Sequence, residues 1–184
     1  MRFFPCLAAA GLLIPGAASA SSMVIGSGLA RMCYEAADTD RATAATLDVC
    51  NRAIADEPLM FDDQVATYVN RGIIRARLND WDGALSDYDH AIRLNPNEPE
   101  AYLNKGALVL KQMHDWRQAR SLFDAALQHQ TKRPEIAYYG RAISNELAGD
   151  YAGAMADYQK ASDLAPEWQQ PKKELTRFSV RKHG

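Results

Sequence analysis

The chain has little of several things that usually announce a function. Beyond residue 20 it contains no apolar run approaching the ~20 residues that a membrane-spanning helix needs. Neither sign of charge dominates, with 21 Lys and Arg against 23 Asp and Glu and a formal net charge of -2. Phosphate binding normally needs a basic surface, so this balance argues against nucleic acid as a partner. Only the end, "KKELTRFSVRKHG", is locally basic, and such a short end is ordinarily solvated. No glycine-rich phosphate loop is present, and His90, His114, His129 and His183 are scattered without ligand-spaced partners. Ser144 and Ser162 have no nucleophile motif around them. We therefore expect no metal, no cofactor, no small-molecule substrate and no catalytic residues, and read the chain as a non-enzyme. The carboxylates Asp87, Asp89, Asp124 and Asp157 are expected mostly on outer helical faces, as solvated charges.

Cysteine is also scarce, and the first twenty residues reduce it further. "MRFFPCLAAAGLLIPGAASA" has an early Arg2, an apolar stretch from Cys6 to about Ala18, and a small-x-small end at Ala18-Ser19-Ala20. This is the form of a signal peptide cleaved after Ala20, which predicts a periplasmic or secreted protein that is not integral to the membrane. Pro15 and the short apolar run argue against an anchor, and Cys6 precedes the apolar stretch, so it is not the acylated residue of a lipoprotein signal. Two of the three cysteines then remain, Cys33 and Cys50, in helix-like surroundings in an oxidising compartment. A helical hairpin would bring them together as a disulfide; the alternative is two small buried residues that never bond.

What the chain does have is a period. Asp80-Trp81, Asp115-Trp116 and Asp150-Tyr151 recur every 35 residues, each Asp suited to cap a helix and each aromatic to open its buried stripe. Downstream stand Ala84, Tyr88 and Ala91, then Ala119, Phe123 and Ala126, then Ala154, Tyr158 and Ala161, at offsets of four and three that share one helical face. Upstream lies another helix with Tyr68 and Gly72, Tyr102 and Gly106, or Tyr138 and Ala142, whose small residue is expected to meet Ala84, Ala119 or Ala154. Two units close with Pro96 and Pro166; the second has Thr131 there and carries one extra residue, expected in its internal turn. Such hairpins cannot bury their outer faces alone, so they must stack.

These spacings resemble the tetratricopeptide repeat (TPR) family, with its W-x2-L-G-x2-Y, A-x3-F, alanine and proline pattern. Arg71, Lys105 and Arg141 stand where the family favours leucine, and Arg75, Val109 and Asn145 where it favours tyrosine. The resemblance implies an all-α, right-handed α-solenoid of antiparallel helix pairs. Repeats are expected at about 64–97, 98–133 and 134–167 within a region 63–166. A degenerate first hairpin, 21–62, precedes them, in which Thr46, Cys50, Ala53 and Pro58 keep the spacing but Tyr34 replaces the small residue. A capping helix, 167–184, follows, with Trp168, Leu175 and Phe178 facing the last repeat.

The family's first helices line a concave groove, which implies a lining of Val69, Asn70 and Ile73, then Leu103, Asn104 and Ala107, then Tyr139, Gly140 and Ile143. An asparagine offers both a donor and an acceptor, so Asn70 and Asn104 suit the backbone of an extended peptide; alternatively each bonds its own neighbouring helix. The family's carboxylate clamp is not matched beyond Asn104, since Val69, Ile73, Ile136 and Gly140 stand where it needs polar or cationic groups. The expected function is a scaffold that binds a peptide or helix of a partner protein in this groove, as an envelope assembly or accessory factor. A structural subunit associating through its outer faces or ends, and a non-catalytic module of an envelope enzyme, remain as alternatives.

Overall fold

The computed structural model describes residues 20–25 and 28–180. The expected signal peptide, apart from Ala20, lies outside the described residues, as does His183.

Each Asp-aromatic turn starts a helix for the expected reason. The carboxylates of Asp80, Asp115 and Asp150 accept the backbone N–H of Gly83, Gln118 and Gly153 at 3.0, 3.0 and 2.9 Å, satisfying a donor that the helix leaves unpaired. The residue before each cap, Asn79, His114 or Gly149, has a positive φ of 63°, 55° or 81°, which turns the chain back on itself. The resulting helices are α1 (Leu29–Asp38), α2 (Ala44–Asp56), α3 (Phe61–Arg77), α4 (Trp81–Leu94), α5 (Pro99–Leu108), α6 (Trp116–Gln128), α7 (Pro134–Leu147), α8 (Tyr151–Leu164) and α9 (Gln169–Val180). No strand occurs among the described residues. Consecutive helices pack in order, and α1, α3, α5 and α7 also touch in sequence, so the hairpins stack into one all-α solenoid.

The extra residue of the second unit is not in its turn. It is wound into the end of the first helix, where Val109–Met113 form a π-helical turn after α5. This keeps Val109 and Leu110 fully buried while His114 still reaches the left-handed turn position.

The glycines meet rings rather than alanines, which corrects the expected small-into-small contact. A Cβ added to Gly72 would lie 2.5 Å from Tyr88 Cε1, and one added to Gly106 3.1 Å from Phe123 Cε1. In the first two units the aromatic of the second helix thus inserts over the glycine of the first. Cys33 and Cys50 are joined, with Cα atoms 5.0 Å apart, and lie in the same core cluster as Val69, Ile73 and Tyr88. At the other end Trp168, Leu175 and Phe178 pack on Tyr139, Ala154 and Tyr158, closing the last hairpin.

The carboxylates also depart from expectation. Asp87 and Asp157 are buried, and each receives a two-pronged arginine. Arg71 Nε and Nη2 bond Asp87 at 2.9 and 2.7 Å; Arg141 does the same to Asp157 at 2.8 and 2.7 Å. Each arginine also reaches back one hairpin, Arg71 to Asn51 at 3.0 Å and Arg141 to Asp124 at 2.7 Å. Lys105 bonds Asp89 in the same way. Cations at the family's leucine position therefore tie each unit to the one before it. Unit two has no such acid–arginine pair, because Leu122 stands where the others have Asp87 and Asp157.

Candidate functional site

Asn70 sits about two and a half turns into α3 and Asn104 about one and a half turns into α5, at matching places in "YVNRG" and "YLNKG". Both are buried, and neither spends its amide solely on a neighbouring helix. Asn70 Nδ2 donates to the carbonyl of Ser22 at 2.7 Å while its Oδ1 accepts the Ser22 N–H at 3.0 Å. Asn104 Nδ2 donates to the carbonyl of Ala20 at 2.9 Å, and its Oδ1 accepts the Ala20 N–H at 3.3 Å. Each side-chain amide thus pairs both main-chain groups of one residue, as a neighbouring strand would. Asn104 Nδ2 is steadied by the Glu100 carbonyl at 2.8 Å.

The segment they hold is the chain's own. Residues 20–25 run across α5 to α3, against the order of the repeats. The Ile25 N–H donates to Asp63 at 3.0 Å, and Arg31 donates to the Val24 carbonyl at 3.2 Å. Ala20 joins the cluster of Leu103 and Phe123, and Val24 is enclosed with Ala30, Ala53 and Ala66, a burial that contributes about 1.5 kcal/mol for a valine. Ser22 Oγ donates to Glu98 at 2.6 Å. Beside Ser22 and Met23 opens a cleft of about 290 Å³ that reaches Asp62, Glu98, Glu100 and Lys132.

Glu100 is almost wholly buried at the edge of this cleft. Its carboxylate accepts the Thr131 hydroxyl at 2.9 Å and the Lys132 N–H at 2.8 Å. Burial pushes its pKa up, against the pull of these two donors, and the nearby Glu98 pushes the same way.

The other expected lining residues are placed differently. Val69 and Ile73 are packed in the core cluster of the disulfide, so they do not line an open surface. Leu103 is fully buried against Ala20's cluster. Tyr139 turns toward the capping helix, its ring 4.6 Å from that of Trp168, and burial raises its phenol pKa to about 12. Ala107 and Ile143 remain half-buried beside the second cluster. The asparagine pair ends at unit three for a packing reason. Gly140 holds the equivalent place, and a Cβ there would lie 2.2 Å from Phe123 Cζ, so the ring inserted between α5 and α7 excludes any side chain. Sequence reasoning did not identify residues 20–25 as the occupant or Asp63 and Arg31 as its further contacts.

Models of two repeat families match this scaffold, one described as TPR repeat over residues 67–112 and one as tetratricopeptide repeat over residues 105–167. The chain belongs to the tetratricopeptide repeat family. Solved TPR-like structures agree in fold. The chain superposes on the MamA RS-1 ArsTM double mutant with a TM-score of 0.67 at 23% identity, over 86% of this chain and 87% of that one. It superposes on the "MamA 41-end" chain from Desulfovibrio magneticus RS-1 with a TM-score of 0.66 at 23% identity, over 86% of this chain and 88% of that one. No curated protein matches the sequence. TPR repeats are typically non-catalytic protein-interaction scaffolds, and neither matching family is an enzyme family. Among the described residues no helix is long and apolar enough to cross a membrane, and no three His, Cys, Asp or Glu side chains converge as metal ligands.

Proposed function

We propose that this TPR protein is an interaction scaffold that holds an extended segment of a partner protein through Asn70 and Asn104, and that it serves as an assembly or accessory factor of the cell envelope. One observation carries the reading: the two asparagines already hold an extended stretch of chain at Ala20 and Ser22 by main-chain groups that every peptide possesses. The Cys33–Cys50 bond is compatible with an exported protein in an oxidising compartment and supports the envelope assignment.

The test is a crosslinked pull-down from envelope extract, comparing the chain with an Asn70→Ala, Asn104→Ala variant of matched helicity. Enrichment of one protein by the chain, and its loss in the variant, is the expected result. Equal enrichment by both moves binding to the outer faces or ends, where Trp81, Tyr151 and Met155 are 40%, 49% and 44% exposed.

A further inference from the structure

The class of segment that the groove takes is written in its present occupant. We infer that the groove selects an extended segment of the pattern small-x-Ser-x-Val, and that residues 20–25, whose Ala20 is present only while the expected signal peptide is still attached, are a built-in competitor for such a segment in a partner protein. This deepens the groove reading above and rests on it.

Burial along the segment alternates with the period of an extended chain. Ala20, Ser22 and Val24 are 4%, 4% and 0% exposed, whereas Met23 and Ile25 are 57% and 86% exposed. The inward positions have distinct requirements. At the first, Ala20 is buried among Leu103, Phe123 and their neighbours, so a longer side chain must displace one of them. At the second, the hydroxyl of Ser22 reaches Glu98, a contact that alanine cannot make and that a bulky residue would displace. At the third, Val24 fits a pocket walled by three alanines, with Leu29, Tyr34 and Leu59 around it. Of the outward positions, Ser21 donates its hydroxyl to Asp38 at 2.8 Å, while the side chains of Met23 and Ile25 lie largely in solvent and are free to vary.

The main-chain contacts, by contrast, are blind to sequence and to origin. Asn70 and Asn104 grip a backbone N–H and C=O, and they grip those of a foreign segment equally well. A tethered segment has the advantage of effective concentration, which for a short tether is on the order of millimolar. A free peptide of the same sequence therefore competes poorly until the tethered copy is weakened. A natural partner must offer the same alternation together with further contacts.

The measurement is fluorescence anisotropy of a labelled synthetic peptide spanning residues 18–26, titrated into the whole chain and into the whole-chain Val24→Asp variant. We expect the variant to bind at least tenfold more tightly. Leucine at the peptide's Ala20 or Ser22 position should abolish binding, and alanine at its Met23 or Ile25 position should not. Equal affinity for both proteins, or indifference to the inward positions, overturns the proposal. Because Val24→Asp can unseat the first hairpin, hydrogen exchange on the unaltered chain provides the second arm. The Ser22 and Ile25 amides should exchange well before those of α3 and α5, and excess peptide should expose Ser22 further. Protection equal to that of the helices would make the segment a fixed part of the fold and overturn the proposal. So would a concentration-dependent mass showing that residues 20–25 exchange between copies. If the asparagine variant loses its captured partner but the peptide fails to displace it, the groove reading stands and the pattern falls.

Discussion

Asp87 has a side chain only 3% exposed, and it carries the charge of two arginines, Arg71 at 2.7 Å and Arg75 at 2.9 Å. Removing the acid leaves the partly buried Arg71 without its counter-charge and Arg75 with only the longer contact to Asp80 at 3.5 Å, which costs far more than the pair contributes over an apolar substitute. Asp87→Ala should therefore lower stability by about 3 kcal/mol in denaturant unfolding. The chain already contains the apolar solution in unit two, with Lys105, Val109 and Leu122. The triple change Arg71→Lys, Arg75→Val, Asp87→Leu should recover most of the loss. Glu100 makes the opposite electrostatic case. Its folded pKa lies above the ordinary 4.5, so the folded state holds the proton more tightly than the unfolded state. The stability this contributes is fully present below the ordinary value and is lost as pH rises through the raised one. Glutamine keeps an acceptor for the Lys132 N–H but has no charge to bury. Glu100→Gln should thus gain on the natural chain as pH climbs from 4 to 7, and melting temperatures of both proteins across that range measure it.

Where a glycine faces a ring in this solenoid, at Gly72, Gly106 and Gly140, the fit differs in tightness along the chain. Phe123 lies between Gly106 of its own unit and Gly140 of the next, where an added Cβ would sit 3.1 and 2.2 Å from the ring. Alanine is the better helix former by about 1 kcal/mol, so Gly106→Ala, whose contact needs only a slight shift, should be close to neutral. Gly140→Ala must move a fully buried ring and should cost about 1–3 kcal/mol, which thermal unfolding of the two variants will separate. The repeat was legible in the sequence because caps, rings and alanines recur at helical offsets, and local capping chemistry enforces them. The acid–arginine pairs were not read, although the signal was present. Asp87 follows Ala84 by three residues and so shares its buried face, and Arg71 and Arg141 each precede their acid by 16. That Asn70 and Asn104 can bond main chain was legible from their amides. Their occupant was not, because six extended residues carry no helical period and the first of them, Ala20, belongs to the stretch set aside as a signal.

A solenoid distributes stability from neighbour to neighbour, so damage at one end should stay there. The disulfide closes a short loop and contributes about 3 kcal/mol by limiting the unfolded chain. Cys50→Ala should therefore speed amide exchange in α1 and α2 while leaving α7, α8 and α9 as protected as before, and a uniform loss would show that the stack unfolds as one unit. The segment across α3 and α5 breaks this neighbour rule, since Ala20 bonds a residue 84 positions away. A ribosome makes the segment first and its seat last. At roughly 5–20 residues per second, residues 20–25 wait several seconds before Asn104 exists. Through that interval the small-x-Ser-x-Val stretch is a nascent-chain sequence with no home, open to whatever receives the emerging polypeptide. The groove, in turn, is complete only at the moment its first possible occupant is already beside it.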